Sequence, residues 1–164
     1  MSNLTEPSRG GPLNPPRLLP PMPGPDYQGK AGGWLTPPPP EPPWLVGMWG
    51  ASCWYCKKGL QVLVPMAQEL GIPFVALHTP EFPDDEQPGF PERVLEELGL
   101  PIGQPGVHHL RDATEWSKLV AMTYWPTFLV VDEDRRATFV QVGYAGPSDP
   151  MFAGLRAALE ATRS

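Results

Sequence analysis

Hydrophobic residues in this 164-residue chain fall into blocks whose spacing changes along its length, and each change marks an element. Trp44-Leu-Val-Gly-Met-Trp49 is an unbroken apolar run with the length of a strand buried on both faces. From Cys53 to Leu70 the apolar positions Leu60, Leu63, Val64, Ala67 and Leu70 follow a helical stripe, and Gly71 stands where such a helix stops. Pro65 should kink that helix by removing a backbone donor. Ile72 to Leu77 reads as a second strand, Pro91 to Leu98 and Asp112 to Met122 as helices, the latter capped by Asp112 or Thr114. Thr127 to Val131 and Ala137 to Gly143, flanking the polar turn Asp132 to Arg135, predict an antiparallel hairpin, and Ser148 a cap for a last amphipathic helix through Leu159.

The resulting order, with parallel crossovers first and a hairpin last, predicts an α/β domain: a central mixed sheet with helices on both faces. Its boundary is set by proline. Fourteen of the 25 prolines lie in residues 1–43, where amide donors are too few for a helix or a central strand. Residues 1–30 are therefore expected to be a disordered proline-rich tail and 31–164 the folded domain.

Charge narrows the partners. A net charge of -6 with twelve scattered Lys and Arg offers no basic stripe for nucleic acid. No apolar run approaches the ~18 residues of a membrane span, and no signal-peptide core precedes the domain. The expected address is the cytoplasm, with an extracytoplasmic one left open, and the expected state a monomer.

The two cysteines stand in Trp49-Gly-Ala-Ser-Cys53-Trp-Tyr-Cys56-Lys-Lys58, where the first strand gives way to the first helix. A sole Cys-x-x-Cys at that point reads as a redox dithiol. At a helix N-terminus Cys53 meets unpaired amides and the positive end of the dipole, with Lys57 and Lys58 adding charge. Cys53 is thus expected to be an exposed, low-pKa nucleophile and Cys56 the resolving thiol. Trp49, Trp54, Tyr55 and Trp125 would form an aromatic rim for a protein or small-molecule disulfide. Glu81 is a candidate to touch the dithiol region. Asp84, Asp85 and Glu86 read as a solvated charge run, His108 and His109 as loop or surface residues.

The Cys-x-x-Cys, with His78-Thr-Pro-Glu-Phe82 and Tyr124-Trp-Pro-Thr127 downstream, resembles the thioredoxin fold and, within it, the TlpA-like/DipZ-like thioredoxin family. The likeness runs from about Trp34 to Gly146. It implies a thioredoxin-like thiol-disulfide oxidoreductase without a bound cofactor, served by an upstream thiol reductant or oxidant; the resemblance sets no direction, and the expected cytoplasmic address favours a disulfide reductase. It also implies a cis Pro126 beside the dithiol, with Trp125 presenting backbone to an extended substrate. Two positions depart from it: many relatives carry a carboxylate six residues before the first cysteine, where this chain has Gly47, and a proline five residues after the second, where it has Gln61.

Two other functions compete. A zinc or copper site would use Cys53 and Cys56 with His78, His108 or His109, but the chain lacks a second ligand pair at regular spacing. A non-catalytic binding module would keep the fold and recruit a partner through the proline-rich segment.

Overall fold

The computed structural model describes residues 9–163. In chain order its elements are β1 (Arg9–Leu18), β2 (Gln28–Gly29), β3 (Gly32–Gly33), β4 (Trp44–Trp49), α1 (Trp54–Leu70), β5 (Phe74–His78), a 3-10 turn (Pro83–Glu86), α2 (Phe90–Glu97), β6 (Val107–Leu110), α3 (Thr114–Leu119), β7 (Thr127–Val131), β8 (Arg136–Val142) and α4 (Pro150–Ala161). Six strands form one mixed sheet in the order β1-β8-β7-β4-β5-β6. β5 runs parallel to β4 and β6 parallel to β5, whereas β7 is antiparallel to β4 and β8 to β7.

The unbroken apolar run of β4 is explained by its place in the sheet, since both of its faces are covered. Leu45 and Trp49 point into a core built with Leu60, Leu63 and Ala67 of α1, Val94 and Leu95 of α2, and Leu155 and Leu159 of α4. Trp44, Val46 and Met48 point the other way, toward Trp116 of α3 and side chains from the N-terminal segment. Helices thus cover both faces, as the block pattern predicts. Helix α1 continues through Pro65, which lies on its exposed side, and ends at Gly71 with φ 71°. The cap of α4 is Asp149, whose Oδ1 accepts from Met151 N at 2.8 Å, rather than Ser148.

The proline-rich tail is corrected for its described part, residues 9–30; residues 1–8 lie outside the described residues. β1 pairs antiparallel with β8 as the sheet's edge strand, and the register shift between Pro12 and Arg17 holds Pro15 and Pro16. Edges and bulges are where a ladder tolerates residues without an N–H. Proline keeps its carbonyl, however, and three indole N–H groups of the domain use it: Trp34 donates to Pro23 O at 3.1 Å, Trp116 to Pro21 O at 3.1 Å and Trp44 to Pro40 O at 2.7 Å. Leu13, Leu19, Met22 and Tyr27 then pack on the second core. Counting missing donors overlooked these acceptors.

His108 and His109 are likewise not loop residues but the middle of β6. The N-terminal segment covers this edge: Leu35 N donates to His109 O at 2.9 Å, and His109 N donates to Thr36 Oγ1 at 2.9 Å. The His109 side chain is buried and its Nε2 meets no hydrogen-bond partner among the described residues. Burial first, and then the neighbouring His108, push its pKa down to about 4 from 6.5. Because the folded pKa lies below the unfolded one, the unfolded chain takes up the proton first. Stability from this residue is whole above pH 6.5 and is lost as pH falls toward 4. We expect the wild type to lose about 2–3 kcal/mol more than His109→Phe between pH 7 and 4.5, as read by urea unfolding. Equal losses in the two proteins would contradict this.

Candidate active site

Strands β4 and β5 end side by side, with Trp49 opposite His78, and the dithiol loop leaves from that point. Register also brings β7 there: Met48 faces Thr127, which sets Pro126 and Trp125 level with the start of the loop. The Trp125–Pro126 bond is cis, as the resemblance implies.

The loop Gly50-Ala-Ser52 has all three amides engaged by side chains. Gly50 N donates to Cys56 Sγ at 3.4 Å, Ala51 N to His78 Nε2 at 3.2 Å and Ser52 N to Asp85 Oδ1 at 3.1 Å. Since an amide can only donate, His78 Nε2 carries the lone pair. Its Nδ1, 2.8 Å from Arg111 O, therefore carries the proton and donates. Burial, the main cause of the lowered His78 pKa, also favours this neutral ring. His78 thus ties the dithiol loop to the strand end and stacks edge-on against Trp49.

Cys53 caps α1 with its sulfur, which accepts from Cys56 N at 3.1 Å. Both cysteines are free thiols. The Cys56 thiol, donating to the Cys53 sulfur, is the main reason that Cys53 ionises below its usual range. The amides of Cys56 and Tyr55 assist, while burial and Glu81 oppose. For Cys56 the balance is reversed: burial foremost, then its bond to Cys53 and the charge of Cys53, raise its pKa well above the ordinary value. The pair is electrically divided into one sulfur prepared to be anionic and one kept protonated.

Several expectations change here. Cys53 is not exposed: only 6% of its surface is accessible. Trp49 is 1% exposed and belongs to the core rather than to a rim. Trp54, at 58%, is open to solvent, with the Tyr55 ring edge-on to it at 4.9 Å. Lys58 Nζ lies 5.4 Å from the Trp54 ring centre and Lys57 is half-buried. Trp125 is half-buried, its Nε1 donating to Thr79 O at 2.7 Å, and Pro126 is buried.

Asp85 is the largest correction. It is fully buried, and besides Ser52 N it accepts from Glu81 N at 2.9 Å and Phe82 N at 3.2 Å through Oδ2. Only Asp84 of the acidic run is open to solvent; Glu86 is half-buried and pairs with Lys30 at 3.6 Å. A signal was available: proline followed two residues later by a carboxylate is how a helical turn opens when the acid reaches back to the preceding amide. Glu81 itself is exposed, and its field falls on both sulfurs. Arg111 was missed as well. Its guanidinium donates to Glu92 Oε2 at 3.1 Å, to Gln87 O at 2.7 Å and to Ala31 O, joining the loop after Asp85 to α2 and to the N-terminal segment.

Among the described residues no three His, Cys, Asp or Glu side chains converge as a metal site would require, and His78 already uses both ring nitrogens. No described helix is long and apolar enough to cross a membrane.

No protein-family model matches the sequence, and no curated protein matches it either. Solved structures do. A thio-disulfide isomerase from Thermus thermophilus is 26% identical, with 70% of this chain and 78% of that one covered and a TM-score of 0.51. A thioredoxin-like protein in its oxidised form is 20% identical over 92% of this chain and 97% of its own, with a TM-score of 0.60. A thiol-disulfide isomerase from Corynebacterium glutamicum is 20% identical, covering 72% of this chain and 80% of that one, with a TM-score of 0.51. The last two likenesses speak to the fold alone. By its fold this is a thioredoxin-like protein, one that resembles the thiol-disulfide isomerases.

Proposed function

We propose that the chain is a thiol-disulfide oxidoreductase that reduces disulfides with Cys53 and Cys56. The observation that carries this reading is the division of the pair: Cys53 caps a helix with an ionisable sulfur, and Cys56 keeps its proton one turn deeper. In the first step the Cys53 thiolate attacks one sulfur of the substrate, the substrate S–S bond breaks, and one substrate thiolate leaves and takes up a proton. A mixed disulfide remains. Cys56 then loses its proton and attacks Cys53, the mixed bond breaks, and the second substrate thiol departs. Two electrons and two protons have passed to the substrate, and the Cys53–Cys56 disulfide awaits an external dithiol reductant.

Trp54, Tyr55 and Trp125 supply apolar contacts around the dithiol, and the backbone at Trp125-Pro126 pairs with an extended segment. Trp49 and Lys57 support the site, Trp49 through His78, and Glu81 acts on the dithiol through its charge. Cytoplasmic residence and a monomeric state belong to the same reading. Insulin reduction driven by dithiothreitol, with redox titration of the pair, tests it. We expect turnover and a potential nearer to that of thioredoxin, about -270 mV, than to the -120 mV of a strong oxidant. No turnover with any disulfide would leave a binding module.

A further inference from the structure

A buried carboxylate without a cation is expensive, and Asp85, which forms no ion pair among the described residues, meets that cost with three backbone N–H bonds. Those bonds join two pieces of chain. One oxygen holds the residue before Cys53, and the other holds Glu81 and Phe82. The loop is fixed elsewhere too: Trp125 Nε1 grips Thr79 O, Arg111 grips Gln87 O, and Lys30 pairs with Glu86. What this bracing presents to solvent is an exposed carboxylate and an exposed aromatic ring. Among the described residues Phe82, at 55%, and Trp54 are two of the four large exposed apolar side chains; the others, Leu18 and Leu119, belong to β1 and α3. Glu81 has no cation within ion-pair distance among the described residues. Its charge bears on both sulfurs.

Resting on the thiol-disulfide reading above, we propose that Glu81 and Phe82, held by Asp85, form the substrate-selecting wall of the dithiol site, which favours protein disulfides bearing a basic residue and an apolar residue beside the cysteine. Glu81 supplies the negative charge with which a basic residue pairs, and the exposed rings of Phe82 and Trp54 supply apolar surface. Asp85 is the positioning residue: it touches no substrate, and it holds the backbone of Glu81 and Phe82 beside Ser52 before binding, so the loop itself needs little ordering.

The test uses the full chain and disulfide-linked dimers of two short peptides, identical except for Lys or Glu beside a Leu-flanked cysteine. We expect kcat/KM at low salt to favour the Lys peptide about tenfold, and the preference to shrink in 0.5 M salt. Glu81→Gln should bring the ratio close to one. Phe82→Ala should raise KM for both peptides by more than it lowers kcat. Asp85→Asn keeps the Glu81 charge but turns an amide donor toward backbone donors, and we expect it to lose the preference as well. A purely structural Asp85 would lower the Tm and leave the ratio at the wild-type value, which would overturn its positioning role. Glu81→Gln and Phe82→Ala change solvent-facing side chains, so they decide the matter even if Asp85→Asn does not fold. Bis(2-hydroxyethyl) disulfide, neutral and without side chains, separates two failures. If the wild type reduces it yet shows no peptide preference, the wall is refuted and the redox reading stands; if it reduces neither, both fall.

Discussion

Cys53→Ser should abolish disulfide exchange, whereas Cys56→Ser should stall it with substrate attached. The asymmetry follows from where the proton sits. Cys53 Sγ receives the Cys56 amide at 3.1 Å and the Cys56 thiol as well, so negative charge on that sulfur is met by two donors. A serine hydroxyl there would remain neutral near pH 7, and turnover should fall by at least about three orders of magnitude, the range seen when a nucleophile is removed. Cys56 cannot take over, since it is buried and kept protonated. In Cys56→Ser the backbone amide and the new hydroxyl can both still donate to the Cys53 sulfur, so its thiolate stays available. Attack still occurs, but nothing remains to break the mixed disulfide. Intact-mass spectrometry after incubation with a peptide disulfide should show the adduct on Cys56→Ser and none on Cys53→Ser. Adduct on the latter alone would reverse the two roles.

The fold could be read from the sequence wherever a single physical rule governed the residues. Burial on both faces makes β4 continuously apolar, and the stripe from Leu60 to Leu70 with Gly71 behind it is what an amphipathic helix requires. The cysteine pair was legible for the same reason, because its chemistry depends on a local feature, the mouth of α1. Reading failed where long-range partners decide. Val107-His-His-Leu110 has no alternation to mark it as a strand; it becomes one because β5 and residues 34–36 claim its two sides. The proline-rich segment gains order from indole donors up to 95 residues away. The turn signal of Pro83 and Asp85 concerns only the local amides; that Ser52, 33 residues upstream, also needs an acceptor is a long-range fact that the neighbours of Asp85 do not announce.

Gly47→Asp, which places a carboxylate six residues before the first cysteine, where the family resemblance implies one, should destabilise this protein severely. The place for that acid is already filled. A Cβ on Gly47 would come within 2.8 Å of Phe74 Cζ and 3.0 Å of Phe128 Cδ1, and a Cβ on Gly59 of α1 would come within 2.7 Å of Phe128 Cζ. Phe128 therefore lies between β4 and α1 in a slot that two glycines keep open, and it takes up space beneath the dithiol that a side chain at 47 would need. Adding the Asp side chain costs about 1–3 kcal/mol in overpacking, and burying a carboxylate without a partner costs several more. Against a total stability of about 5–15 kcal/mol, a loss above about 4 is a large share, and at roughly 2–4 °C per kcal/mol the Tm should fall by about 10 °C or more. Steric displacement predicts coupling: Phe128→Leu, which frees ring volume, should cost less in the Gly47→Asp background than in the wild type, with an interaction of at least about 1 kcal/mol in a double-mutant cycle. Additive losses would show that Phe128 and a side chain at 47 do not compete. They would also remove the physical reason why this chain can do without an acid in the strand and keep its ionisable groups, Glu81 and Asp85, in the loop across the dithiol.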